Sequence, residues 1–334
     1  MIPAIRIISS LLPLSIFILS GHLSHSQIKW QNIDSLFQPL PASVHVYKTT
    51  DLLDGKPNIA YYVEADLKDK RLHFTVDTTL RRRLTPAQFY EKNDRPLLVV
   101  NTTFFSFATN QNVTTVIKDG KIVGFNAPVR GTGKDSANQY YYFKSAIGIF
   151  RNRRADVAWL GTDSTFEYGT AYQFPVKRNE WGKRQPGVNF SYEDSIYKFT
   201  KRKSRALINH KWKANTAVGG GPVLIQDGKI MITNDEERMF AGKAINDRHP
   251  RTAMGYTKGN KLIILVIEGR NTGIAEGATL IQEAQMLKDI GCLEALNLDG
   301  GGSSCMLVNG KETIKPSDKE GQRPVPAVFI VKSL

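Results

Sequence analysis

Ala295-Leu296-Asn297-Leu298-Asp299-Gly300-Gly301-Gly302-Ser303-Ser304 is the stretch on which the reading of this chain turns. An apolar run ends in a carboxylate; three glycines and two hydroxyls follow. A short apolar run bounded by glycine reads as a buried strand ending in a tight loop. Glycine there permits positive φ and close approach to the main chain. Successive N–H groups in such a loop can form an anion-binding concavity. A plain turn capped by Asp299 would need one glycine. Three in a row after a carboxylate favour a site.

The residues before this stretch suggest how it is held. The apolar run Leu262-Ile263-Ile264-Leu265-Val266-Ile267 ends in Glu268-Gly269-Arg270. Thr279 with Gln282 predicts a capping box, and Leu280, Ala284, Leu287 and Ile290 keep helical spacing up to Gly291. Strand, helix and strand within about 40 residues is the form of a βαβ unit with parallel strands. Glu268 and Asp299 would then both lie just past strand carboxyl ends, where open α/β sheets bind ligands. Strands that are neighbours or next-but-one would put the two carboxylates roughly 5–10 Å apart, the range of the paired acids of glycoside hydrolysis.

Much of the remaining sheet should be antiparallel. Asp119-Gly120, Asp227-Gly228 and Asn309-Gly310 each stand between apolar runs, the strongest short-range hairpin signal. Ala60 to Leu67 and Leu72 to Val76 alternate enough to be a strand pair, and Leu97 to Val100 reads as a buried strand running into Asn101. Thr85-Pro86 with Gln88 predicts a helix start. The fold class expected is α+β, a mixed and largely antiparallel sheet with β-hairpins and one βαβ unit near the C-terminus. Residues 27–334 read as one domain, with 151–214, basic and aromatic, as a variable surface insertion. Arg81-Arg82-Arg83 reads as a solvated face.

Residues 1–26 carry Arg6, a short apolar core, and small or polar residues up to Ser26, the pattern of a secretory signal peptide. The apolar core is too short for a confident membrane span, so a secreted or periplasmic chain is expected. The formal charge is +14, or +13 without the leader. Such a balance points to an acidic partner, although no nucleic-acid module is present. Cys292 and Cys305 are the only cysteines; a disulfide or two small buried residues fit equally, and the spacing is no recognised zinc pattern.

The side chains gathered by this reading are two carboxylates, two glycine loops, Asn101, Arg251 and His249. Carboxylates stabilise positive charge on a sugar ring, and arginine with main-chain amides holds phosphate. His249 serves as a base or merely orients the loop before Pro250. Gly-x-Ser-x-Gly, His-Glu-x-x-His and a Walker loop are all absent, and the glycines lead toward a strand, which excludes a dinucleotide fingerprint.

In order along the chain stand Asn101-x-x-Phe104-Phe105, Gly219-Gly220-Gly221-Pro222-x-Leu224, His249-Pro250-Arg251-Thr252-Ala253-x-Gly255, Gly277-Ala278-Thr279-Leu280 and Asn297 to Ser304. This series resembles the phosphodiester glycosidase family from about Leu97 to Val331, and Pro316-Ser317-Asp318 and Arg323-Pro324 also look like family positions. The resemblance implies hydrolysis of a sugar-1-phosphodiester, releasing the sugar and leaving a phosphomonoester. Asp299, as nucleophile or general base, and Glu268 are the expected catalytic pair. Arg251, Asn101, Phe105, His249, Gly220, Gly221, Arg270, Gly300, Gly301, Gly302, Ser303 and Ser304 are the expected substrate-binding residues. No metal or cofactor is expected, and the expected partner is an anionic glycan or sugar phosphate. A non-catalytic binder of anionic surface glycans and a phosphodiesterase are the alternatives.

Overall fold

The computed structural model describes residues 27–130, 139–140, 143–162, 167–175 and 210–333. The signal-peptide reading of residues 1–26 and most of the aromatic, basic 151–214 stretch lie outside them. The fold is α+β. Every ladder between the described strands is antiparallel.

An eight-stranded sheet holds, at its centre, Ala60–Asp66, Lys261–Ile267, Arg251–Thr257, Cys292–Asn297 and Val223–Gln226, in that spatial order. Lys261–Ile267 and Cys292–Asn297 run parallel to each other, as the strand–helix–strand pattern requires. Arg251–Thr257 lies between them, antiparallel to both. The crossover helix, Leu280–Ile290, has the expected capping box at Thr279 and ends at Gly291 in the left-handed conformation.

The unbroken apolar run at 261–267 follows from two covered faces. Ile263, Leu265 and Ile267 pack with Leu280, Ala284 and Leu287 of the helix. Leu262, Ile264 and Val266 face a core shared with the other two large sheets. One of these has five strands in the order Lys311–Glu312, Met306–Val308, Leu98–Asn101, Ala327–Ser333, Leu72–Thr78. Its outer face is covered by Phe89 of the helix Pro86–Lys92. The other has seven strands and contains Ala155–Gly161, Gly169–Tyr172 and His210–Trp212. Within the described parts of 151–214, these three strands belong to a main sheet, with Trp159 and Trp212 fully buried.

The three hairpins form as read, each with positive φ at the Asp or Asn and at the following Gly. Ala60–Asp66 and Leu72–Thr78 are both strands but do not pair. The first lies between Val44–Thr49 and Lys261–Ile267, and the second pairs with the C-terminal strand. Cys292 and Cys305 are buried free thiols.

Candidate functional site

The ends of three strands meet at Asp299. Leu98–Asn101 of the five-stranded sheet arrives from one side, and Arg251–Thr257 and Cys292–Asn297 from the other. Asn101 is the joint. Its Nδ2 donates to the Asp299 carbonyl at 2.6 Å, and its Oδ1 accepts from Thr252 Oγ1 at 2.9 Å and from the Cys305 N–H at 3.1 Å. Asp299 N–H donates to the Thr102 carbonyl at 2.7 Å. Asn101 is 1 % exposed and spends these three side-chain bonds inside the protein, so it builds the turn. Ser304, equally buried, bonds Thr252 in the same network.

Asp299 is only partly exposed. Loss of water drives its carboxyl up to about 7, against the pull of the Ser303 hydroxyl, the Arg323 guanidinium and the Gly300 N–H. Arg323 is fixed by a bidentate pair with Asp318, at 2.7 and 2.9 Å, and its Nη1 lies 3.5 Å from Ser303 Oγ. Gly302 permits this. A Cβ there would lie 2.0 Å from Arg323 Nη2 and 2.2 Å from Asp318 Oδ1. At Gly301, with φ +61, a Cβ would lie 2.9 Å from Arg270 Nη2. The glycines thus bring two guanidinium groups against the turn. The amides are less free than the sequence suggests. Gly301 N–H donates to the Pro250 carbonyl, and Gly300 N–H faces the Asp299 carboxyl.

Glu268 reaches the same neighbourhood from the other side of Pro250. Gly269 and Gly300 flank the Pro250 main chain, each too close to it for a Cβ. The strands leading to Glu268 and Asp299 are next-but-one, an offset of two interstrand spacings, about 10 Å. Glu268 is 5 % exposed; its carboxylate accepts from the Lys315 N–H at 3.0 Å and from Asn271 Nδ2 at 3.3 Å. Arg270, two residues on, is exposed and delivers its guanidinium to Gly301.

Several expected contacts take another form. Arg251 is opposite Ile267 in the ladder and so lies on the helix face of the sheet. Its Nε donates to the Ala278 carbonyl at 2.9 Å and its Nη2 to the Asp247 main-chain carbonyl at 3.1 Å. It faces Glu283, a buried carboxyl whose two oxygens find no hydrogen-bond partner among the described residues and whose pKa burial pushes up to about 8. Arg251 therefore braces the helix start. His249 stands beside Arg251 and Arg270; burial and these two positive charges lower its pKa, against the opposing pull of Asp247, and disfavour the charged ring. Its Nδ1 has no partner among the described residues.

The N–H groups of Gly220 and Gly221 are taken by the Ser145 and Asn297 carbonyls. A Cβ at Gly220 would come within 2.3 Å of the Asn297 oxygen. These two glycines let one loop lie against the next strand and leave no donor for a ligand. Phe105 packs on Phe107 with the rings tilted at 46° and their centroids 4.8 Å apart. Asp318 and Arg323 complete the turn, and only their place in a motif series marked them in the sequence.

A family description, "Phosphodiester glycosidase", matches residues 94–332. The SPbeta prophage-derived uncharacterized protein YomE of Bacillus subtilis is 36% identical over 105 residues, 31% of this chain and 16% of that protein. The mouse N-acetylglucosamine-1-phosphodiester alpha-N-acetylglucosaminidase is 31% identical over 103 residues, 28% of this chain and 20% of the enzyme. The aligned stretch is thus a fifth or less of these relatives' length. The solved catalytic domain of the zebrafish enzyme of that name, auto-inhibited by its pro-peptide, superposes with a TM-score of 0.54 at 18% identity. The match covers 94% of this chain and 86% of that one, a likeness of fold.

Proposed function

The chain belongs to the phosphodiester glycosidase family, and from that premise we propose that it hydrolyses the glycosidic bond of a sugar-1-phosphodiester of the N-acetylglucosamine-1-phosphodiester kind. The observation that carries this reading is Asp299: a carboxyl poised near neutrality, on a glycine turn with two guanidinium groups laid against it. In the proposed reaction a water oxygen bonds to the anomeric carbon while the bond from that carbon to the phosphate oxygen breaks. The electron pair leaves with the phosphomonoester. Ionised Asp299 takes the water's proton as general base. Phosphate leaves well by itself, so no strong general acid is needed. Arg270 and Arg323 take over the role expected of Arg251 and balance the growing phosphate charge. Glu268, held by Lys315 and Asn271, supplies negative potential to a sugar ring becoming positive. Residues 1–26 support the reading of a secreted or periplasmic enzyme.

The test is hydrolysis of N-acetylglucosamine-1-phosphate methyl ester in oxygen-18 water. Label in the released sugar is expected. Label in the phosphate would replace this reading by a phosphodiesterase, and tight binding without turnover would replace it by a glycan binder. Asp299→Asn with an unchanged fold should abolish sugar release.

A further inference from the structure

The arginine triplet does not lie apart from the site. Arg83 holds its Cζ 5.4 Å from the Phe105 ring centroid and 5.1 Å from that of Phe107. Arg323 holds its own Cζ 5.5 Å from the Phe107 centroid. Phe107 is 62% exposed and so presents an aromatic ring, with two guanidinium groups beside it, to solvent. One of those groups is the cation that reaches Ser303 and acts on Asp299. The strip is therefore continuous with the catalytic turn.

The main chain of the triplet is pinned. Arg82 O accepts from Thr79 Oγ1, and Arg81 O accepts from Asn110 Nδ2 at 3.5 Å. The side chains are left open. Arg81 and Arg82 are exposed, and among the described residues none of the three arginines has a carboxylate partner. A guanidinium stacked on a ring keeps its in-plane N–H groups directed outward, ready for bidentate phosphate. A face that served solubility alone would need neither the stacking on Phe105 and Phe107 nor the alignment with Arg323.

We propose that Arg81, Arg82, Arg83 and Phe107 form the subsite for the leaving side of the phosphodiester, and that this side carries further phosphate. The substrate class is then a sugar-phosphate oligomer or polymer with repeating anionic groups, the sugar being cut from its first phosphate. Phe107 offers its face to the carbon skeleton between phosphates, and the arginines take the next charges. The formal charge of +14 adds long-range attraction for such a chain. The inference rests on the reading of Asp299 given above.

Two substrates test it: N-acetylglucosamine-1-phosphate methyl ester, and the same sugar phosphate esterified to glycerol 3-phosphate. At low salt the wild-type chain should prefer the second in kcat/KM by about tenfold or more, the equivalent of one charge-assisted contact. Added salt should erode the preference. In the triple variant R81Q/R82Q/R83Q, with circular dichroism and melting temperature checked, the ratio should fall toward one. In Phe107→Ala it should fall part of the way. Turnover with no preference, or a preference that the triple variant keeps, overturns the subsite and leaves the glycosidase reading intact. Turnover of neither substrate by the wild type overturns both. Calorimetry on Asp299→Asn gives a separate check, because the glycerol phosphate diester should bind it more weakly once the triplet is removed. An oligothymidylate that binds the same strip more tightly than the diester would point to nucleic acid and overturn the proposal.

Discussion

Asp299→Asn should kill the enzyme and stabilise the fold, and the second effect should switch on with pH. The carboxyl sits at about 7 in the folded chain against an ordinary 3.8. Raising a folded-state pKa means that the ionised form is disfavoured by folding. Below about pH 4 the group is neutral in both states and costs nothing. Between there and about 7 the unfolded chain gives up its proton while the folded chain keeps it, so stability falls as pH rises. Above about 7 the full cost is present. Carrying the carboxyl from 3.8 to about 7 corresponds to about 4 kcal/mol. Partial solvent access makes this an upper figure. The amide of Asn is neutral throughout and escapes the cost. At pH 8 the variant should melt several degrees higher than the wild type, since about 1 kcal/mol moves Tm by roughly 2–4 °C in a domain of this size class. At pH 4 the two should melt together. Thermal melts of both proteins from pH 4 to 8 measure the difference directly. A variant less stable than wild type at pH 8, or a gap that ignores pH, would show that desolvation does not govern this carboxyl.

Activity should follow the same group with the opposite benefit: kcat/KM rises as pH passes through about 7, when Asp299 becomes able to accept a proton, and a profile that falls there removes it as the base. Gly302→Ala should cost about 100-fold in kcat/KM, because a Cβ 2.0 Å from Arg323 Nη2 displaces the guanidinium by about 1 Å; melting should change little, and wild-type turnover would show that Arg323 is not needed. Asn101→Ala should lower stability by about 3 kcal/mol, since it removes three buried hydrogen bonds, read as a lower denaturant midpoint with turnover falling as the Asp299 turn loosens.

What could be read in the sequence was local. Asp-Gly and Asn-Gly turns need positive φ at both residues, so 119–120, 227–228 and 309–310 announce themselves. Thr279 with Gln282 and Thr85 with Gln88 announce helix starts for a similar reason: a side chain satisfies an orphan N–H three residues on. Pairing over long distances left no such mark. Leu72–Thr78 is as good a strand for one partner as for another, and it pairs with Ala327–Ser333 at the far end of the chain. Buried strands are apolar on both faces, so periodicity does not say which face meets the helix. The composition of 151–214 suggested surface, yet Asp156 accepts from Trp212 Nε1 at 2.6 Å inside a main sheet.

The same limit explains the misplaced cation. Arg251 stands at a strand start beside the glycine turn, and in sequence it is the natural phosphate holder. Ladder parity decides otherwise. It is opposite Ile267, whose side chain is packed with the crossover helix, so its guanidinium is carried to that face and meets the Ala278 carbonyl and Glu283. Residues outside regular strands escape this parity. Arg270 follows Glu268 and Gly269 in a loop with φ +61, and Arg323 lies on a loop ahead of the C-terminal strand. Both can turn back onto the glycines, and the absent Cβ at Gly301 and Gly302 is what gives their planar heads room. Three consecutive glycines after Asp299 are thus needed less to present free amides than to let Arg270 and Arg323, from distant loops, lie against the turn, with Arg323 acting on the carboxyl. That is why a carboxyl whose pKa loss of water raises can still be drawn into ionising near neutrality.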